Sequence, residues 1–440
     1  MKYLLAAALI LLLIFSCYPQ SGPVVAVPTA ATDSRDVRQK TFDKVWTTVN
    51  EKHFDPTFGG VDWKQVRETY APKAMAAVSD KDFHDVLRQM LGELKLSHFG
   101  IHPPAAEMAA AQTGRGVTGI DVIMLDGIPV INRVDAGSTA AQAGVKTGQA
   151  ITRIDGKPWK SIVAQLETTL AARKVGDAIH KVFLERTIEA AINAKPGTML
   201  VLDVTGSGEI PQKFNVARSP FSGEMSQPLG NFPPQEVVFE SRQLAGKIGY
   251  IRFNMWVIPQ MAKLRNAMAG FAGLKAVIID LRGNPGGVGG MAPGLAGLMF
   301  KEKASLGSMK TRGGSMEFIA FPQENAFTGK VVLLTDHGTG STSEVFAAGM
   351  QETGRATIVG ETSAGAVLPS VFEKLPTGYL FQYAVSDYRS PRNILIEGRG
   401  VIPDLEVRQT RASLLAGHDA QLDEALKYIE RSAVAAAPAR

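Results

Sequence analysis

From Ile248 onward the chain repeats one pattern. Short apolar runs, IGYIRF at 248–253, KAVIIDL at 275–281, KVVLLTD at 330–336 and ATIVGE at 356–361, alternate with segments of helical spacing. Those segments are IPQMAKLRNAMAGFA at 258–272, APGLAGLMF at 292–300 and GSTSEVFAAG at 340–349. Such short continuous apolar runs fit strands buried on both faces, and a helix between successive strands returns the chain to a parallel neighbour. The pattern predicts an α/β core of βαβ units over residues 235–410. A closing helix, AQLDEALKYIERSA, and a fraying tail make up residues 411–440.

At 440 residues the chain exceeds one ordinary core, since a domain takes about 150 residues. Residues 35–105 carry helical stripes, Phe42, Val45, Trp46 and Val49 in one and Phe83, Val86, Leu87, Met90, Leu91 and Leu94 in another. They predict a small helical domain. From about Gly114 the spacing becomes strand-like: IDVIM, a turn at LDG, PVINRV, then AGSTAAQAGVKTGQAITRIDGKPW. This β-rich stretch, residues 114–218, resembles a PDZ domain in the order of its helix, turn and strand. SIVAQLETTLAARK at 161–174 is then the helix walling a peptide groove, GTMLVLDV at 197–204 a last strand, and residues 175–196 an insertion of helical spacing without an assigned role. A Pro-, Gly- and Ser-rich linker, SPFSGEMSQPLGNFPP, leads into the α/β core.

The amino terminus reads MKYLLAAALILLLIFSC, with twelve unbroken apolar residues from Leu4 to Phe15. Twelve is short for a membrane span and suits the core of a signal peptide, residues 1–17, followed by a tether over 18–34. Cys17, the only cysteine, stands where the lipobox of bacterial lipoproteins places its lipidated residue; Ser16 fits that resemblance and Phe15 departs from it. An ordinary signal peptide with an incidental cysteine is the alternative. Either way the reading is export to the cell envelope or periplasm, with membrane contact only through a lipid on Cys17. The mature chain then has no disulfide, thiolate nucleophile or cysteine metal site. The net charge of +5 is spread without dense basic runs, which argues against a nucleic-acid partner.

The stretch at 340–349 holds two serines and a threonine where a strand hands over to a helix. Ser341-Thr342-Ser343-Glu344 has the S-x-x-E form of a capping box. The same place gathers backbone N–H groups and the positive end of a helix dipole, so a cap and a nucleophile can share it. The loop RGNPGG, 282–287, closes the strand KAVIID, and N–H groups of Gly286 or Gly287, with that of Thr342, are candidate oxyanion donors. Among seven histidines, His53, His84 and His180 fall on charged helical faces expected to be solvated, His418 in the tail and His337 in the turn before Ser341. His98 stands apart, in the apolar-flanked LKLSHFGIHPP beside Ser97. Its spacing to His102 is metal-like, but Gly100 and the prolines break the helix such a site needs, so no metal is expected.

Together these residues resemble the tail-specific, or C-terminal-processing, serine protease family. DLRGNPGG at 280–287, the serine run at 340–361, the upstream PDZ-like module and EGRGVIPD at 397–404 occur in that family's order. The resemblance implies a crotonase/ClpP-like βαβ core, with an N-terminal helical domain and an inserted PDZ-like domain, and a serine endopeptidase needing no cofactor. It makes Ser341 the nucleophile. One branch of the family pairs that serine with a lysine where this chain has Ala366, and Lys374 is out of register. The other branch, which includes the tricorn core, uses a Ser-His-Ser-Glu tetrad, matched here by Ser341, His98, Ser97 and Glu397. The resemblance also makes Gly116, Val117, Thr118, Gly119 and Ile120 a candidate loop for the free C-terminus of a protein or peptide substrate. Two alternatives stay open: a non-catalytic module binding peptides or apolar ligands on the same fold, and an enolate-stabilising enzyme of the crotonase kind.

Overall fold

A computed structural model describes residues 10–12, 34–173 and 175–435. Cys17, most of the tether, the last five residues and all of the signal-peptide core but residues 10–12 lie outside the described part.

The strands Ile248–Phe253, Ala276–Asp280, Lys330–Thr335 and Ala356–Gly360 run parallel, as the apolar alternation predicts, with Leu405–Glu406 beyond them and Phe239–Leu244 antiparallel at the other edge. Both faces are covered. Leu264 and Met268 of the helix Ile258–Gly270 and Val345 to Ala348 of the helix Thr342–Glu352 pack on one face with Ile251, Ile279 and Leu333. Ala425 and Ile429 of the helix Ala420–Ala435 cover Tyr250, Ile278 and Val332 on the other. Side chains alternate between faces along each strand, which is why neighbours such as Ile278 and Ile279 belong to opposite cores.

The N-terminal helices Ser34–Lys52, Trp63–Met75 and Asp80–Gly92 form where Asp62 and Ser79 accept the orphan N–H groups of the second and third. Their core is shared rather than separate: Phe42, Val45, Phe83, Leu87 and Leu91 pack with Leu368, Phe381 and Tyr383. Phe381 and Tyr383 belong to a second sheet, in which Gly100–His102, Leu380–Ala384 and Ser370–Lys374 lie side by side, followed by Ile10–Leu12 and Gly286–Val288. Pairing of Gly100 with Gln382 and of Ile101 with Phe381 brings the segment just after His98 onto the α/β core. The stretch read as a linker is folded: Ser219–Pro220 pairs with Gly116–Val117, and Phe232 is buried among Met108, Met255 and Phe372.

The β-rich module is an antiparallel sheet ordered Ile120–Leu125, Ile128–Val134, Ala150–Ile154, Met199–Thr205 and Pro211–Ala217. Here the structure corrects the sequence reading. The helix whose side chains reach the outer edge of Ile120–Leu125 is Asp177–Ile192, inside the stretch taken for an insertion, and not the helix Trp159–Arg173. Its apolar stripe, Leu184, Ile188 and Ile192, enters the module core with Val122, Ile131 and Leu202. Among the described residues no helix is long and apolar enough to cross a membrane.

Candidate active site

The strand Lys330–Thr335 ends in a turn that Asp336 closes by accepting the N–H of Gly338 and, across the gap, that of Gly283. Five residues after Asp336, Ser341 sits at φ +54°, ψ −118°, a backbone that an L-residue adopts only at a cost of order 1–3 kcal/mol. Glu344 holds it there. Its carboxylate accepts from Ser341 N at 2.9 Å, Ser363 Oγ at 2.6 Å, Gly365 N at 2.7 Å and Ala366 N at 3.0 Å. Half of the expected capping box is thus present, yet the Ser341 hydroxyl takes no part: Oγ is buried and without a hydrogen-bond partner.

The other hydroxyls nearby are committed. Ser343 Oγ donates to Asn284 O and accepts from Trp256 Nε1 at 2.8 Å, and Thr342 Oγ1 donates to Gly287 O at 2.9 Å. Asn284, fully buried, pins the glycine loop: its amide donates to Phe253 O and its Oδ1 accepts from Gly286 N at 3.0 Å. The expectation that Gly286 supplies an oxyanion donor is therefore revised, because its N–H is engaged within the loop. Its lack of a side chain is what the site needs. At φ +101° a Cβ on Gly286 would fall 2.6 Å from Ser341 Cβ and 2.9 Å from Thr342 N.

His98 reaches the α/β core through the pairing of Gly100–His102 described above. Its backbone is left-handed, φ +60°, and its ring is buried. Nδ1 lies 2.6 Å from Ser97 Oγ, and that oxygen lies 3.0 Å from Glu397 Oε2. Glu397 also accepts from Ser97 N at 2.7 Å and Val367 N at 2.9 Å. A carboxylate surrounded only by donors is an acceptor, so the single Ser97 proton goes to Glu397 and Nδ1–H donates to Ser97 Oγ. Nε2 is left with its lone pair, buried and without a partner. Burial, with a smaller contribution from His102, pushes the His98 pKa down to about 3, so the ring is neutral at ordinary pH. Burial also raises the Glu397 carboxyl, against the pull of the Ser97, Val367 and Leu368 donors.

Residues 247–407 match the family model described as peptidase family S41, and residues 34–92 that of the tricorn protease C1 domain. The α/β core, residues 247–407, thus matches peptidase family S41. The carboxyl-terminal-processing protease of Synechocystis sp. is 26% identical over 404 residues, covering 89% of this chain and 86% of that protein. Tricorn protease homolog 1 of Streptomyces coelicolor is 24% identical over 400 residues, 88% of this chain but only 34% of its own length. The solved photosystem II D1 C-terminal processing protease matches with a TM-score of 0.55 at 19% identity, over 84% of this chain and 93% of that one, a likeness of fold.

The chain is a serine-type peptidase, and its structure brings together three of the residues the sequence singled out while setting others aside. Ser97, His98 and Glu397 form one connected chain of contacts. The lysine alternative fails on geometry: Ala366 is buried with its carbonyl accepting from Ser341 N, and Lys374 is exposed at the end of its strand. His102 Nε2 meets Gln382 Oε1 at 3.1 Å, and among the described residues no group of three or more His, Cys, Asp or Glu is arranged to hold a metal ion. His53 and His84 are buried, not solvated as their charged helices suggested; His84 stacks on Tyr379. In the loop 116–120, Gly116 N bonds to Ala194 O and Thr118 N to Asn193 Oδ1. Sequence reasoning missed Glu344 beyond its capping role, and it missed Asn284. The only signal for either was its place inside DLRGNPGG or S-x-x-E.

Proposed function

We propose that this peptidase hydrolyses polypeptides through an acyl-enzyme on Ser341, with His98 as base and Ser97 and Glu397 as its orienting partners. The observation that carries the reading is the pair of buried polar atoms without partners, Ser341 Oγ and His98 Nε2, among neighbouring hydroxyls that are all engaged. Leaving such groups unsatisfied costs about 1–3 kcal/mol each, which a fold tolerates where chemistry uses them.

Ser341 Oγ attacks the scissile carbonyl carbon while its proton passes to His98 Nε2. The imidazolium that forms keeps Nδ1–H on Ser97 Oγ, whose own proton rests on Glu397, so the positive charge faces a carboxylate through one hydroxyl. N–H groups of Gly287 and Thr342 face the developing oxyanion. The C–N bond then breaks, the leaving amine takes the proton from Nε2, and water repeats the sequence on the ester to free Ser341. The antiparallel pairing of Ile10–Leu12 with Gly286–Val288, Leu12 opposite Gly286, supports an extended substrate lying along the glycine strand.

The apolar run from Leu4 to Phe15 supports export, and Cys17 supports a lipid anchor in the cell envelope. Recognition of substrate C-termini is assigned to the β-rich module, whose strand Ile120–Leu125 lies at a sheet edge beside the loop 116–120. Covalent labelling with a fluorophosphonate probe tests the chemistry. The expected adduct maps to Ser341 and is lost in Ser341→Ala and in His98→Ala; labelling that survives His98→Ala excludes this base. Incorporation of labelled palmitate into the wild type but not Cys17→Ala tests the anchor.

A further inference from the structure

The strand Ile120–Leu125 pairs on one side with Ile128–Val134 and has no strand on its other side among the described residues. An edge of that kind offers alternate N–H groups to an added peptide strand. Here those groups are already taken by one helical stripe. Met124 N donates to Glu185 Oε1 at 2.7 Å, Val122 N to Glu189 Oε1 at 2.9 Å, and Thr118 N to Asn193 Oδ1 at 3.1 Å. The match is geometric. Four residues of helix advance about 6 Å and two residues of strand about 6.7 Å, so Glu185 and Glu189, spaced i, i+4, meet the outward N–H groups of Met124 and Val122, while Asn193 at the helix C-cap meets Thr118 in the loop before the strand. The helix side chains stand where a peptide backbone would add.

Glu185 has a second partner, and it lies outside the module. Its Oε1 is 2.8 Å from His337 Nε2, with both side chains nearly buried. His337 belongs to the turn that leads into Ser341. Within that turn Asp336 holds Gly283 of the glycine loop, Thr339 Oγ1 donates to Leu281 O, and Gly340 N donates to Asn284 O. Burial opposes the charge on His337, but the Glu185 carboxylate outweighs it and lifts its pKa to about 9; burial raises the Glu185 carboxyl. One carboxylate therefore touches both the edge strand and the turn carrying the nucleophile. In this latched form neither Ser341 Oγ nor His98 Nε2 has a hydrogen-bond partner.

We propose that Glu185 and Glu189 plug a lane for an extended peptide on the strand Ile120–Leu125, and that the Glu185–His337 pair latches the Ser341 turn until a peptide displaces the plug. The latched form is then a resting state. The proposal rests on the C-terminus recognition assigned above, and it adds a residue that carries occupancy of the lane to the nucleophile. Glu185 is a positioning residue: it acts on Ser341 through His337 and the turn.

The test uses the purified protein, a fluorophosphonate probe, and a ten-residue peptide ending in apolar residues with a free carboxylate. In the wild type, peptide is expected to raise the labelling rate of Ser341 by about 10-fold, within the range of ordinary coupling between sites. Glu185→Gln keeps an oxygen for Met124 N–H but removes the charge from His337, so it labels fast without peptide and gains little more from it. Glu189→Gln, which touches the lane and not His337, binds the peptide more tightly by fluorescence anisotropy while peptide still accelerates labelling. His337→Gln repeats the effect of Glu185→Gln from the other side of the latch, and a melting curve on each variant separates unlatching from unfolding. A wild type that labels at Ser341 at one rate with and without bound peptide, or a Glu185→Gln that labels and responds as the wild type does, overturns the latch and leaves the peptidase reading intact. Absence of Ser341 labelling in both wild type and Glu185→Gln overturns the peptidase reading, and the latch with it.

Discussion

Ser97→Ala removes one oxygen and tests the reading of the site most directly. The hydroxyl makes two contacts, 2.6 Å to His98 Nδ1 and 3.0 Å to Glu397 Oε2, while the Ser97 N–H to Glu397 Oε1 bond survives the substitution. In the resting enzyme the lost bond to Nδ1 is neutral, worth about 1 kcal/mol. Once Nε2 takes the serine proton the same bond carries the imidazolium charge, worth about 1.5–3 kcal/mol in a buried site. The transition state therefore loses about 0.5–2 kcal/mol more than the ground state, and the rate falls by about 2- to 30-fold. The variant also frees the ring to put its proton on Nε2, the tautomer that cannot act as a base. Both effects fall on kcat rather than KM. The assay is the second-order rate of fluorophosphonate labelling, followed by peptide hydrolysis once a substrate is in hand, with Ser97→Thr restoring the hydroxyl and much of the rate. A Ser97→Ala enzyme that labels as fast as the wild type refutes the relay.

Gly286→Ala forces a methyl against Ser341 Cβ and Thr342 N at an unfavourable φ; labelling is expected to fall by more than about 100-fold, read against a melting curve. Lys374→Ala, at an exposed strand end, is expected to leave the labelling rate as it is, whereas a loss would restore the lysine dyad. His84 is buried with its pKa pushed down to about 4, chiefly by burial. Its folded pKa lies below its unfolded value, so the unfolded chain takes up the proton first on acidification. Relative to His84→Phe, the wild type should lose about 1.4 kcal/mol of stability per unit as pH falls from 6.5 to about 4, measured by urea melts. A pH-independent difference excludes a buried neutral His84.

The α/β core was legible because buried parallel strands must be continuously apolar, a signal carried by each run by itself. Ser341 and the glycine loop were legible for a related reason, since both sit at strand ends that this pattern locates. The helix along the edge strand was not. Asp177–Ile192 and Trp159–Arg173 both have helical spacing, and only the reach of Glu185 and Glu189 to the N–H groups of Met124 and Val122 tells which lies beside the strand. Burial of His53 and His84 was hidden likewise. Their helices carry charged faces, but Tyr379, far along the chain, covers His84, and Phe58 and Phe99, beyond the end of its helix, cover His53. The helical domain looked independent in sequence for the same reason.

The strained Ser341 and the left-handed His98 come from segments more than two hundred residues apart, and one short stretch of backbone sets their register. Gly365 N and Ala366 N donate to Glu344, which holds the nucleophile; Val367 N donates to Glu397, which holds Ser97 and His98. Successive N–H groups are thus divided between two buried carboxylates, one for each half of the proposed catalytic pair. This makes Glu344 more than a helix cap. All four groups on it are donors, two on each oxygen, so Glu344→Gln turns an amide NH2 toward two N–H or O–H groups whichever way it is flipped. At about 1–3 kcal/mol for each buried group left unpaired, the variant should be destabilised by about 2–6 kcal/mol, and the surviving folded fraction should label slowly because Ser341 and His98 have lost their common support. A Glu344→Gln protein that melts and labels like the wild type shows that the register is set elsewhere.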